Sequence, residues 1–215
     1  MSKYVVVDLE MCHVPYGEKR AAFNWRSELI QIGAVVINEE LEMTDEFMTF
    51  VSPEFGEIDP EIENLTGISK KDVEGAPKIR EAVCAFLDWL PKDSVLVSWS
   101  ENDELQIRRE LEAKEITIDG IDYYLDNWID CQKTFSEKMD AEKIYKLSEA
   151  LIISDINYDE NQHDALVDAK NTAQLFIKMQ REPVLKLNPY YSNKTEEDLT
   201  NNPFAALLAG YFDEE

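Results

Sequence analysis

Apolar and polar positions alternate in two distinct periods along the chain. Near the N-terminus "KYVVVDLE" is a short β-branched run that meets acids at Asp8 and Glu10, the pattern of a buried central strand. "ELIQIGAVVIN" predicts a second strand. "EMTDEFMTFVSP" predicts a third, with apolar positions at Met43, Phe47 and Phe50. A polar loop or short helix, "HVPYGEKRAAFNWRS", joins the first two. Three strands in succession favour antiparallel neighbours. Pro60 and Gly67 then bracket a short helix, "EIENLTG".

From Pro77 the period lengthens. Ile79, Val83, Phe86, Leu87 and Leu90 recur at helical intervals, and Pro91 ends the run. "SVLVSW" predicts a fourth strand, followed by a helix through Leu105, Ile107 and Leu111. "NWIDCQKTF" holds a candidate fifth strand and "KLSEALI" a short helix. The last long helix places Ala165, Leu166, Ala169, Thr172, Ala173, Phe176 and Ile177 on one stripe. Strands first, then alternating strand and helix, imply an α/β fold: a mixed sheet with helices packed on its faces. Past Pro183 the pattern breaks down. We therefore expect one domain over residues 1–183 and an acidic C-terminal extension over 184–215, whose apolar patch "FAALLAGYF" offers a possible contact for a protein partner.

Composition narrows the picture. A chain of 215 residues can bury a substantial core. The formal net charge of -24 excludes a protein that coats nucleic acid through Lys and Arg. It does not exclude an enzyme that gathers phosphates with metal ions, because bound cations invert the local electrostatics. Cys12, Cys84 and Cys131 are far apart and form no CxxC pair, so neither a disulfide framework nor a zinc ribbon is indicated. The opening "MSKYVVVDLE" reads as neither signal peptide nor membrane span, and the expected setting is cytoplasmic.

Candidate chemistry lies in the acids and in one of the chain's two histidines. Asp8 and Glu10, one residue apart, project to the same side of an extended strand. Two such acids are costly to desolvate unless paired or metal-bound, although one of them on a solvated turn satisfies the same pattern. Asp103 follows the fourth strand, where Ser100 and Asp103 also make a capping-box-like S-x-x-D. Asp168 equally suits a solvated position beside the apolar stripe of the last helix. His163 stands five residues before Asp168, about 140° away on a continuous helix. The two converge only if His163 lies in the preceding loop and folds back over the first turn. Chemistry that uses such pieces is two-metal phosphodiester hydrolysis, with hard cations held by oxygen ligands and a histidine taking a proton from water. An EF-hand loop starting at Asp155 fails, because Glu160 and Leu166 stand where Gly and Glu are needed.

The motifs "VVVDLEMC", "VSWSENDELQI" and "HDALVDAKNTAQLF" together resemble those of the DEDDh exonucleases, the DnaQ-like group with a ribonuclease-H-like fold. "ELIQIGAVVIN" and "NLTGISKKDVEGAP" extend the resemblance, which runs from about residue 3 to residue 181. It implies a five-stranded mixed sheet, three antiparallel strands then parallel ones, flanked by helices. It also implies a 3′→5′ exonuclease acting on single-stranded RNA or DNA 3′ ends with two Mg²⁺ or Mn²⁺ ions. Asp8, Glu10, Asp103 and Asp168 are then the metal ligands and His163 the general base. Leu9, Met11, Cys12 and Leu65 are implied to line the terminal nucleotides. "DLEMC" and "SWSENDE" look closest to the branch that trims small RNAs and histone messenger 3′ ends. Met11, where proofreading members often carry Thr, points away from a polymerase subunit. Lys19, Arg20, Arg26, Arg108 and Arg109 are candidates for a basic rim. The alternative is a catalytically silent nucleic-acid-binding or scaffolding module of the same fold. That reading is usually marked by loss of an acid or the histidine, and none is missing.

Overall fold

The computed structural model describes residues 3–141, 143–158 and 163–192. Its elements run β1 (Tyr4–His13), α1 (Glu18–Phe23), β2 (Ser27–Ile37), β3 (Met43–Phe50), α2 (Pro60–Thr66), α3 (Lys70–Val73) and α4 (Ile79–Trp89). There follow β4 (Val95–Ser98), α5 (Asn102–Ala113), α6 (Ile121–Leu125), β5 (Ile129–Asp130), α7 (Cys131–Lys138), α8 (Leu147–Ile153), α9 (Ala165–Arg181) and α10 (Pro189–Ser192). One sheet has the order β3-β2-β1-β4-β5. β1 pairs antiparallel with β2, and β2 with β3, while β1–β4 and β4–β5 are parallel. This is the expected five-stranded mixed sheet, and helices cover it in a ribonuclease-H-like arrangement.

The alternation of β1 sorts its side chains between two cores. Val5, Val7 and Leu9 join Ile32, Ala34 and Val36 of β2 under Val83 and Phe86 of α4 and Ile107 and Leu111 of α5. Val6 faces the other way, toward Phe135 of α7, Leu151 of α8 and Ala173, Phe176 and Met179 of α9. A third, smaller cluster gathers Cys12, Ile30, Ile58, Ile62 and Val73 beneath α2 and α3. Every residue of β2 is buried, as expected for a strand flanked on both edges and covered on both faces.

Several elements depart from the sequence pattern for local reasons. β5 holds only two residues, because the Asp130 side chain accepts from the Lys133 N–H at 2.8 Å and starts α7 at Cys131. β3 is an edge strand, so Met43 keeps 43% of its surface exposed while Phe47 packs against Phe86 and Trp89. The short helices α3, α6 and α10 have too few turns for a periodic signal. On α9 the buried face is broader than the apolar stripe and includes Asp168, Leu175 and Met179. Residues beyond Pro183 run back along α8, with Leu185 buried and the Asn188 N–H donating to the Ile153 carbonyl at 2.7 Å. The "FAALLAGYF" patch lies outside the described residues, as does the rest of 193–215. No described helix is long and apolar enough to cross a membrane.

Candidate active site

Asp8 and Glu10 continue the Val6 row of β1 into a gap at the C-terminal end of the sheet. The gap exists because β4 pairs only with Tyr4, Val5 and Val6, leaving that edge of β1 open from Val7 onward. Asp103, in the first turn of α5, fills the opening: its buried carboxyl accepts from the Leu9 backbone N–H and from its own N–H, with the Ser98 side chain beside it. Ser98 is oriented in turn by Trp128, whose indole N–H donates to it at 2.9 Å. An acid in the first turn also meets the positive end of the helix dipole.

The opposite wall is the start of α9. Asp164 caps the helix, accepting from the N–H groups of Leu166 and Val167 at 3.0 and 3.1 Å. Asp168 sits one turn in and accepts from the His163 backbone N–H at 2.8 Å and from the Asn171 side chain. His163 lies in the loop ahead of the helix, in the left-handed region at φ 65°, and folds back over the first turn as the spacing requires. This conformation is uncommon for a residue with a side chain and marks a constrained position. Ligand atoms of Glu10, His163 and Asp168 all lie within 4.8 Å of one another, close enough to hold one metal ion.

Two residues of β2 seat that wall. Gln31, paired with Glu10, accepts from the Ala165 N–H through its side-chain oxygen at 3.0 Å. Gly33, paired with Asp8, lies directly under the helix start, where an added Cβ would stand 2.2 Å from the Ala165 carbonyl carbon. Only glycine lets the helix backbone come this close to the strand. Ala169 and Ala173 continue the close approach along α9, both fully buried.

Gathering these acids without a cation is electrostatically costly. Burial, followed by the charges of Asp168, Asp103 and Asp164, pushes Glu10 up to about 8. Asp8 is raised well above the usual carboxylate range by desolvation and by the charges of Asp103, Asp168 and Glu10. Burial lifts Asp103 to about 7 against the backbone hydrogen bonds it accepts. Asp168 is raised by burial, with the His163 N–H and Asn171 opposing the shift. Such a set is chemically suited to hard divalent cations, which take oxygen ligands and would relieve the repulsion. Of the expected ligands and base, all five positions converge on this gap.

The expected lining residues separate. Leu65 on α2 is 50% exposed, and Met11 is partly buried against the main core. Leu9 and Cys12 are corrections: Leu9 turns its side chain into the first core and reaches the acids only through its backbone N–H. Cys12 follows the register shift between Glu10 and Met11 into the third core and has no exposed surface. The basic rim does not form from the described candidates. Lys19 pairs with Glu57, Arg108 with Glu104 and Asp126, and Arg109 with Glu112, while Arg26 lies over the Trp25 ring. Residues the sequence did not single out are Gln31, Gly33, Ser98, Asp164 and Asn171. A glycine inside an otherwise β-branched strand was the one available signal.

Comparison with known proteins gives a consistent picture. Residues 5–176 match the family model RNase_T, described as Exonuclease. The chain is 30% identical over 177 residues to the PolC-type DNA polymerase III of Caldanaerobacter subterraneus subsp. tengcongensis, covering 82% of this chain but 11% of that one. It is 26% identical over 201 residues to the 3′-5′ exonuclease Snipper of Drosophila melanogaster, covering 80% of this chain and 70% of the relative. Among solved structures, the nuclease domain of 3′hExo, a DEDDh family member bound to rAMP, superposes with a TM-score of 0.73. At 21% identity over 87% of this chain and 96% of that domain, this similarity shows the shared fold.

Proposed function

This chain belongs to the exonuclease family, and from that premise we propose that it is a divalent-metal-dependent 3′→5′ exonuclease acting on single-stranded nucleic acid. What carries the reading is the convergence of Glu10, His163 and Asp168 within 4.8 Å, beside Asp8 and Asp103. Asp8, Glu10 and Asp168 would hold one ion, and Asp8 with Asp103 a second. When bound, such ions acidify water and neutralise charge on the phosphate and the leaving oxygen.

The chain's own groups do the rest. His163 stands exposed at the mouth of the gap, where its imidazole can take the proton of the attacking water. Asp168 holds the His163 backbone through its N–H and thereby fixes the loop that presents the ring. The Leu9 N–H holds the Asp103 carboxyl at the gap, out of solvent. Leu65 and Met11 offer apolar surface to the terminal base. The products are a 5′-nucleotide and a strand shortened by one residue. All five positions of the set are filled by residues able to act, which argues against a silent scaffold.

The test is a gel assay on 5′-labelled single-stranded RNA and DNA with Mn²⁺ or Mg²⁺. Wild type should give a descending ladder that Asp8→Ala and His163→Ala lose. Wild type without a ladder on either strand, or a full ladder from Asp8→Ala, overturns the reading.

A further inference from the structure

In a chain with a net charge of -24, lysines gather in a cleft beside the acid gap. Among the described residues this cleft of about 700 Å³ lies between the loop after β4, the start of α7 and the segment entering α8. Its size falls within the usual range for ligand pockets, about 300–1,000 Å³. Lys133, Lys143 and Lys146 line it, together with Trp99 and Ile144. Ile144 leaves 76% of its surface exposed, so its side chain is available at the cleft. Lys133 is exposed and forms no ion pair among the described residues, and Lys143 is held over the Tyr145 ring and paired with Glu149.

Position matters as much as composition. The cleft wall formed by Trp99, Ser100, Glu101 and Asn102 runs directly into Asp103. Asp130, on the same wall, is close enough for its charge to act on Asp103. A strand whose 3′ end occupies the acid gap must leave it in some direction. The cleft's three lysines outnumber its two lining acids, Glu101 and Asp130, and lie beside apolar surface; cationic and apolar groups together hold single strands without reading sequence.

We propose that the cleft binds the nucleotides upstream of the scissile bond of a single-stranded nucleic acid, with Lys133, Lys143 and Lys146 on its phosphates and Trp99 and Ile144 against its bases. The assignment rests on the exonuclease reading for its substrate and goes beyond it in assigning a second, non-catalytic subsite. Lys133 and Lys146 are binding residues that set affinity for length, and they take no part in bond cleavage.

The test pairs two measurements. Binding of a 5′-fluorescein 12-nucleotide strand is followed by anisotropy, with Ca²⁺ replacing Mg²⁺ or Mn²⁺, at 50 and 200 mM salt. Hydrolysis of a dinucleotide is followed separately with Mn²⁺. Three phosphate contacts predict that wild-type affinity falls about 18-fold across that salt range, at roughly 0.7 of a log unit per contact per decade. In Lys133→Gln/Lys146→Gln the fall shrinks to about 3-fold, and affinity at 50 mM drops at least 10-fold. Lys3→Gln/Lys92→Gln, which removes the same charge near the opposite ends of β1 and β4, should track wild type. If the cleft variant binds the 12-mer like wild type with the same salt response while wild type cleaves the dinucleotide, the cleft assignment falls and exonuclease activity stands. If wild type cleaves nothing yet its 12-mer affinity depends on these lysines, the cleft stands and the catalytic reading falls.

Discussion

Replacing Gly33 by alanine tests how the catalytic wall is seated. The added methyl would stand 2.2 Å from the Ala165 carbonyl carbon and from the Leu166 nitrogen. An ordinary contact begins near 3.4 Å, so the helix start and strand must part by about 1.2 Å. Because the opposing atoms are backbone, no rotamer change can absorb the overlap. The parting carries Asp168 and His163 away from Asp8 and Glu10, and misplacement by about 1 Å can cost roughly 100-fold in rate. Overpacking of this kind destabilises by about 1–3 kcal/mol. We expect Gly33→Ala to remain folded by circular dichroism and urea titration yet to lose about two orders of magnitude in turnover of a 5′-labelled 12-mer. Val35→Ala serves as the control. It lies two residues on along the same face, is fully buried, and destabilises by removing volume without pushing the helix. A Gly33→Ala rate within threefold of wild type, or a loss matched by Val35→Ala, would refute the seating argument.

The remaining expectations follow from charge. In EDTA, thermal stability should fall as pH rises from 5 to 8.5. Glu10, raised from 4.5 to about 8, keeps its proton in the folded state where the unfolded chain has released it. Asp103 and Asp168 shift with the same sign, so the loss amounts to a few kcal/mol at about 1.4 kcal/mol per pH unit. Mn²⁺ should accordingly raise the melting temperature more at pH 8.5 than at pH 5, and a metal-free protein that gains stability on going to pH 8.5 would contradict this. Away from the site, Lys114→Met should cost about 3–5 kcal/mol in urea unfolding, because it strands two buried carboxylates, Glu28 and Glu110, that it now bridges. A loss under 1 kcal/mol would show that the backbone N–H groups of Glu54, Phe55 and Gly56 suffice for Glu28.

Much of this architecture was legible because it is periodic or local. The strand alternation separates Asp8 and Glu10 from Leu9, and the five-residue spacing of His163 and Asp168 demands a loop that folds back, which φ 65° at His163 supplies. What escaped was set by tertiary contact. Leu9 and Cys12 sit beside the motif in sequence, yet the pleat and a register shift turn both inward. The candidate basic residues were plausible as a rim until their acidic neighbours were placed, whereas the lysine cleft draws on segments whose proximity no spacing encodes. Gln31 looks like an ordinary member of a buried strand, and although Gly33 signals a close approach, what approaches becomes visible only when a helix from far along the chain lies across both.

That separation has a kinetic consequence. The Ala165 N–H reaches Gln31 across 134 residues, so the first sheet strands and the helix that completes their acid site are made at very different times. At about 5–20 residues per second, synthesis leaves an interval of roughly 7–27 s in which β1, β2 and β3 exist without α9. Contacts this distant in sequence also close late in refolding, after local helices and hairpins have formed. The early strands carry Asp8 and Glu10 but no opposing wall, so a partly made or partly refolded chain lacks the assembled acid site. Recovery of turnover after dilution from urea should therefore trail recovery of helical signal, with the docking of one helix as the final event.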